Sequence, residues 1–227
     1  TIQEVAEIAR LAHARGAVVH TDAAQSAGKV PVDVVALGVD LLSLAGHKLY
    51  APKGVGALFV RSGVALPRYL HGAGHESGRR AGTENVPGIV GLGKACAIAR
   101  GRLAAEPARL EALRERLWEG LAREAAPVRR NSPRERCLPN TLSVAFRGLE
   151  APALLAQVGD RVAASPGAAC HSSGVVPSTV LAAMRVPPED AKGTVRFSVG
   201  RGTTEAEVDA ATAVVAEAAR RMRGERT

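Results

Sequence analysis

The 227-residue sequence is 46% hydrophobic and carries a formal net charge of +8. That apolar content can bury the core of one large or two small domains, and no apolar run nears membrane-spanning length, so a soluble protein with no membrane partner is expected. The charge alone suggests nucleic acid, but the arginines are scattered through predicted helices and only 3% of residues are aromatic, too few for a base-stacking platform.

Nucleic-acid binding is therefore set aside, while a basic face remains able to attract an acidic partner protein. Cys96, Cys137 and Cys170 are odd in number, widely spaced and contain no C-x-x-C pair, which points to a reducing, cytoplasmic compartment and against structural zinc.

In chain order, Ile2, Val5, Ile8 or Ala9, and Ala12 recur at helical spacing and predict a helix over Thr1–Arg15 that stops at Gly16. Ala17–Thr21 reads as a short buried strand. Helix followed by apolar strand marks a parallel sheet, in which ligands sit beyond the carboxyl ends of the strands. A connection containing Pro31 leads to a strand over Asp40–Ala45, and Val55–Val60 is a further strand that turns at Arg61-Ser62-Gly63. His71 to Thr83 is glycine-rich and without apolar period.

A helix is predicted from Pro87 to about Ala105; Pro107 interrupts it, and Leu110, Leu113, Leu117 and Leu121 resume the spacing to Ala125. Such a long, broken helix suits a bridge between two domains. The cluster Arg129, Arg130, Arg134 and Arg136 reads as a solvated loop. A strand at Thr141–Phe146, a helix at Ala151–Val158, a strand at Arg161–Ala164 and a small-residue loop from Ser165 to Gly174 follow. Last come a helix at Pro177–Met184, a strand at Thr194–Val199 and a helix at Glu205–Met222, whose Thr203-Thr204-Glu205-Ala206-Glu207 start offers an N-cap and an acidic first turn.

The chemistry centres on Ser43 to Gly54. The apolar run Leu41–Ala45 stops at Gly46 and leaves His47 and Lys48 side by side before Pro52 and Gly54 break the chain. A lysine at the mouth of a buried strand is costly as an ammonium, because desolvation disfavours its charge, and the same setting makes it a good amine nucleophile towards a carbonyl. Asp22 and Gln25 stand at the end of the preceding strand, in His20-Thr21-Asp22-Ala23-Ala24-Gln25. Cys170 sits among small residues without the periodicity that buries a structural cysteine, and His171 beside it would favour the thiolate. Cys96, inside a helical pattern, fits a core cysteine instead. Cys137 has no motif around it. His20, His71 and His75 show no metal-ligand spacing, so no metal is expected.

The stretch His20–Gln25 and Ala45-Gly46-His47-Lys48-Leu49-Tyr50-Ala51-Pro52-Lys53-Gly54-Val55-Gly56-Ala57 together resemble the cofactor site of pyridoxal-phosphate enzymes of the class V aminotransferase family. Arg80-Ala81-Gly82-Thr83-Glu84-Asn85, Gly167-Ala168-Ala169-Cys170 and Val195-Arg196-Phe197-Ser198-Val199-Gly200-Arg201 narrow the resemblance to cysteine desulfurases and their relatives, the selenocysteine lyases. The likeness runs over nearly the whole chain, in order and at compatible spacing. It implies an α/β fold: residues 1–100 as the C-terminal part of a large, mainly parallel-sheet domain of pyridoxal-phosphate fold type I, and residues 101–227 as the bridging helix with a small α+β domain carrying the cysteine loop. It also implies a preceding portion that supplies a ring-stacking histidine, an asparagine for the substrate carboxylate and a phosphate-binding turn, so the chain is read as the C-terminal part of such an enzyme.

On that resemblance, Lys48 would carry pyridoxal 5′-phosphate covalently and move the substrate's α-proton. Asp22 would keep the pyridine nitrogen protonated, which makes the ring an electron sink. Gln25 would bond the phenolic oxygen. His47 and Thr83 would hold the phosphate, Thr83 reaching over from the other subunit of a homodimer. Arg196 would face inward and take the substrate carboxylate through a bidentate pair, with Arg201 as the alternative in this role. Cys170 would take sulfur from L-cysteine as a persulfide, release L-alanine and deliver the sulfur to an acceptor protein. With L-selenocysteine, the lyase version releases selenide; Ala169-Cys170-His171 is reminiscent of lyases, the spacing from Cys170 to Pro177 of desulfurases. A third reading is a non-catalytic fragment that dimerises or binds a sulfur acceptor. Three positions depart from the family pattern: Ala45 stands where serine is frequent, Ser77 where arginine is expected and Ala73 where glycine is expected.

Overall fold

The structure, a computed structural model, describes residues 1–167, 169–171, 174–176 and 178–224, the runs 169–171 and 174–176 by their backbone alone. The chain forms two units, Gln3–Ala105, and Thr1–Ile2 with Glu106–Thr227.

In Gln3–Ala105, α1 (Val5–His13) buries Ala9 against Val19, Val39 and Leu42, with Val5 and Ala12 beside it, which is the helical stripe that the sequence spacing predicts. β1 (His20–Asp22) pairs in parallel with β2 (Leu41–Ala45) through a crossover containing α2 (Val34–Leu37). The Asp33 carboxylate caps α2 by accepting from the Val35 and Ala36 N–H groups. β3 (Gly56–Val60) joins β2 antiparallel, in the order β1-β2-β3.

The first strand starts at His20 rather than at the expected Ala17, and the reason is a side chain. The Val19 N–H donates to the Asp40 carboxylate at 2.8 Å, while its carbonyl accepts from the backbone N–H groups of Asp40 and Leu41 at 2.9 and 3.1 Å, so ahead of β1 only the carbonyl side of the chain is held by backbone bonds. Buried Asp40 also accepts from His13 at 2.8 Å and faces Arg61 at 3.2 Å. The hydrogen bond from His13, then the one from the Val19 N–H, hold its carboxyl below the ordinary range against the effect of burial. α3 (Val86–Arg102) is capped by the Asn85 side chain and packs Leu92 and Ala95 against Ala27 and Leu49, with Cys96 at the margin of the same apolar cluster.

In the second unit, α4 (Glu106–Glu124) buries Leu110, Leu113, Leu117 and Leu121. There follow β4 (Val128–Arg130), β5 (Thr141–Phe146), α5 (Ala151–Val158), β6 (Ser165–Pro166), β7 (Ala169–His171), β8 (Gly174–Val176), α6 (Thr179–Ala183), α7 (Pro188–Lys192), β9 (Thr194–Ser198) and α8 (Glu205–Met222). The sheet order is β4-β5-β9-β6, antiparallel throughout. Leu142, Val144 and Phe146 alternate with Val195 and Phe197 onto the face covered by α4, α5 and α8. The Thr204 and Glu207 side chains close a reciprocal capping box at the start of α8. The fold is of the α/β class expected.

Two expectations for the strands of this unit are corrected. The strand expected at Arg161–Ala164 lies instead at Ser165–Pro166, where it pairs with Arg196 and Val195. The expected loop from Ser165 to Gly174 instead holds β6 and β7 and ends on the first residue of β8, the partner of β7.

The arginine cluster is likewise no solvated loop. Arg130 and Arg134 converge with Arg114 of α4 on the Glu115 carboxylate, at 2.7, 3.1 and 2.8 Å, and the Arg114 side chain is only 1% exposed. Arg129 pairs instead with buried Asp190 at 2.9 Å. Burial pushes the Glu115 carboxyl up, yet the hydrogen bonds from Arg130, Arg114 and Arg134 outweigh it and bring the group down to about 2. A folded value below the unfolded one means stability that is complete above the unfolded pKa and lost as the pH falls through the folded one. Glu115→Gln is therefore expected to cost about 2–3 kcal/mol near neutral pH. The deficit should shrink as the pH falls from the ordinary glutamate value of 4.5 towards 2. Urea unfolding at neutral and acid pH checks this; an equal deficit at both would refute the assignment.

Candidate active site

Two adjacent parallel strands deliver the chemistry-bearing groups to one edge of Gln3–Ala105. β1 ends at Asp22, which the register sets beside Ser43. The chain past Ala45 therefore emerges at the same carboxyl edge, where Gly46–Leu49 winds into a 3-10 turn carrying His47 and Lys48. Gly46 is required there: its N–H donates to the Val55 carbonyl at 2.9 Å, and a Cβ would stand 2.6 Å from that oxygen. The Ala51 N–H returns to the Gly46 carbonyl at 3.0 Å, closing the turn. Gly46→Ala is expected to displace the turn and to cost about 1–3 kcal/mol of stability, read as a lower urea midpoint; an unchanged midpoint would show that the turn yields freely.

Asp22 Oδ1 accepts the Ala24 N–H at 2.7 Å, which fixes the carboxylate across the turn, and no cation pairs with the acid among the described residues. Gln25 follows on the same turn, its carbonyl accepting from Lys29 Nζ at 2.9 Å. A Cβ on Gly28 would stand 2.6 Å from Leu49 Cδ2, so the turn holding Asp22 and Gln25 packs directly on the turn holding His47 and Lys48. The turns that carry Asp22, Gln25, His47 and Lys48 thus lie against each other.

The expected burial of Lys48 is overturned, because its side chain is exposed at the strand mouth. The half-buried lysine is Lys29, whose ammonium is disfavoured first by burial and then by the charge of Lys48. Sequence reasoning passed over Lys29; the available signal was its place four residues after Gln25, behind Gly28, on a turn already marked as functional. Thr83 stands in an exposed connection ahead of α3 and hydrogen-bonds none of the four among the described residues. In the glycine-rich loop before it, Arg68 donates to the Gly78 and Gly72 carbonyls at 2.8 and 3.0 Å, and Ser77 takes a left-handed φ of +56°.

In the second unit, Arg196 sits on β9 between Val195 and Phe197, which are 0% and 5% exposed. Strand alternation therefore sends Arg196 to the opposite, open face, which corrects the expectation that it faces inward. Its Nη2 lies 3.5 Å from Ser165 Oγ. The backbone of Cys170 belongs to β7 and pairs with Val175 of β8; its thiol lies outside the described residues. Cys137 is buried, with Arg114 Nη1 donating to its sulfur at 3.0 Å. Among the described residues no group of three or more His, Cys, Asp or Glu side chains is placed to hold a metal, and no helix is long and apolar enough to cross a membrane.

Comparison with known proteins extends this picture. Residues 1–211 match the family Aminotransferase class-V. The chain is 48% identical over 210 residues to the cysteine desulfurase of Gluconacetobacter diazotrophicus, covering 92% of this chain and 52% of that protein. It is 48% identical over 224 residues to the cysteine desulfurase IscS of Anaeromyxobacter dehalogenans, covering 98% of this chain and 55% of the relative. A solved NifS-like protein superposes with a TM-score of 0.86 at 36% identity, over 96% of this chain and 57% of that one. The chain thus spans about half the length of the curated relatives it matches. With a family match running from residue 1 to residue 211, and with a lysine-bearing turn beside an acid-ended parallel strand, the chain belongs to the class-V aminotransferase family.

Proposed function

We propose that this chain carries the lysine, acid and cysteine of a pyridoxal 5′-phosphate-dependent cysteine desulfurase, which converts L-cysteine to L-alanine and holds the removed sulfur as a persulfide for an acceptor protein. The observation that carries the reading is the delivery of Asp22 and Lys48 to the same edge by neighbouring parallel strands. The names of the relatives at 48% identity favour desulfuration over selenocysteine cleavage. Residues 1–100 are taken as part of the large cofactor-binding domain and residues 101–227 as the bridging helix with the small domain.

The residues fit the cofactor. An exposed amine, a carboxylate with no cationic partner among the described residues, an amide and an imidazole stand on two turns packed against each other. When bound, pyridoxal 5′-phosphate supplies a sink for the electron pair left at the substrate's α-carbon. Lys48 Nζ would hold the cofactor at its aldehyde carbon and would move the proton at the substrate's α-carbon. Asp22 would hold a proton on the pyridine nitrogen, Gln25 would donate to the phenolic oxygen, and His47 would donate to the phosphate together with Thr83 of a second copy in a homodimer. Arg196 would take the substrate carboxylate. The Cys170 thiolate attacks the substrate sulfur; an S–S bond forms, and the electrons of the Cβ–S bond stay with the carbon, which is protonated and leaves as L-alanine. Cys96 and Cys137, both free thiols, fit a reducing, cytoplasmic setting.

The test is turnover of L-cysteine against L-selenocysteine by the protein with cofactor bound, measuring L-alanine and protein-bound sulfur. L-alanine with persulfide from L-cysteine is expected. Cofactor bound without L-alanine from either amino acid would overturn the proposal.

A further inference from the structure

The open face of the β4-β5-β9-β6 sheet is polar at its centre. Register sets Ser143 of β5 and Ser165 of β6 on either side of Arg196, on the face opposite Leu142, Val144, Val195 and Phe197. Directly paired residues have Cβ atoms about 4.5–5.5 Å apart, so each serine flanks the stem of the arginine. Arg196 Nη2 approaches Ser165 Oγ to 3.5 Å, the long limit of a hydrogen bond. On the other flank Ser143 Oγ accepts from Asn131 Nδ2 at 3.2 Å. Asn131 is itself anchored, its backbone N–H donating to the Ser143 carbonyl at 3.0 Å and its amide nitrogen reaching Thr194 Oγ1 at 3.1 Å.

A hydroxyl has one proton to give and two lone pairs to receive. Ser143 already receives from Asn131 and Ser165 from Arg196, so both O–H groups are left to donate outward. The neighbouring strand arginines are neutralised, Arg129 by Asp190 at 2.9 Å and Arg130 by Glu115 at 2.7 Å. Arg196 has no carboxylate partner among the described residues. One guanidinium between two outward-donating hydroxyls, with no acid among them, is complementary to a carboxylate.

We propose that Ser143 and Ser165 complete the subsite for the substrate's α-carboxylate, donating to it while Ser165 holds the guanidinium of Arg196 at the angle that receives it. The inference rests on Arg196 being the carboxylate ligand of the proposed function. L-alanine, which keeps the carboxylate and lacks the thiol, is titrated into the full chain while the side-chain Nε–Hε signal of Arg196 is followed by NMR, assigned by its loss in Arg196→Lys. A saturable shift is expected, absent with L-alaninamide. Ser143→Ala and Ser165→Ala should each weaken the apparent Kd about threefold to tenfold, the worth of one hydrogen bond, and Ser165→Thr should restore it. In the cofactor-loaded enzyme the same variants should raise KM for L-cysteine by a similar factor while kcat stays within about twofold, as for an interaction made equally in ground and transition states. Unchanged Kd and KM in both alanine variants, or a fall in kcat at constant KM, overturns the inference. If Arg196→Ala also leaves KM unchanged, the assignment of Arg196 itself has failed; if Arg196→Ala raises KM while the serine variants are silent, only the role of the serines is lost.

Discussion

Replacing Lys48 by alanine is expected to abolish L-alanine formation from L-cysteine, a loss of at least about a thousandfold, because in the proposed function one amine both anchors the cofactor and moves the α-proton. Geometry allows no easy substitute. A second amine within reach of the charge of Lys48 is Lys29, on the turn that packs against Leu49 through Gly28, but its Nζ is committed to the Gln25 carbonyl at 2.9 Å. Lys48→Arg separates nucleophilicity from charge: the guanidinium keeps the positive charge and stays protonated at any working pH, so it offers no lone pair to an aldehyde. That variant should be as inactive as Lys48→Ala. Lys29→Met should leave substantial turnover. L-alanine assayed against time for the three variants reads the outcome, and normal turnover in Lys48→Ala would move the chemistry to another residue.

The same turn shows how far the sequence could be read. Gly46, Pro52 and Gly54 announce a sharp return between two apolar runs, and the chain makes it. Where local signals agree, the elements fall as expected: α8 spans Glu205–Met222 with its capping box, and β5 spans Thr141–Phe146. What failed depends on partners distant in sequence. At the start of β1 the Val19 N–H goes to Asp40, on the far side of the crossover, and only its carbonyl meets backbone N–H groups. Nothing near Arg130 and Arg134 reveals that Glu115 waits for them on α4. Exposure of Lys48 follows from where the turn ends, which apolar spacing does not encode. The outward face of Arg196 was legible, since apolar Val195 and Phe197 bracket it and alternation does the rest. Its serine neighbours were not, because they are set by strand register alone.

Cys170→Ala is expected to keep the yellow colour of bound cofactor while forming no persulfide and almost no L-alanine, again a loss of about a thousandfold or more for removal of a nucleophile. The chain restricts where that thiol operates. Cys170 follows Ser165 by five residues, so its Cα stays within about 17 Å of the strand flanking Arg196 even at full extension. Gly167 lies on that path and passes close to Thr194, where a Cβ would stand 2.8 Å from Thr194 Cβ; only a bare backbone fits beside β9. The other thiols are poor competitors. Cys96 packs with Leu92 and Ala95 of α3, and buried Cys137 is engaged by Arg114. Cys96→Ala and Cys137→Ala should therefore retain sulfur labelling, Cys137→Ala at reduced stability because Arg114 loses an acceptor. Cys170→Ser tests the element itself, since a hydroxyl of ordinary acidity does not attack a thiol's sulfur, and it should behave as the alanine variant does. Peptide mapping after reaction with sulfur-labelled L-cysteine places the label. Label on Cys96 or Cys137 in the unaltered protein, or undiminished L-alanine from Cys170→Ala, would remove Cys170 from the reaction.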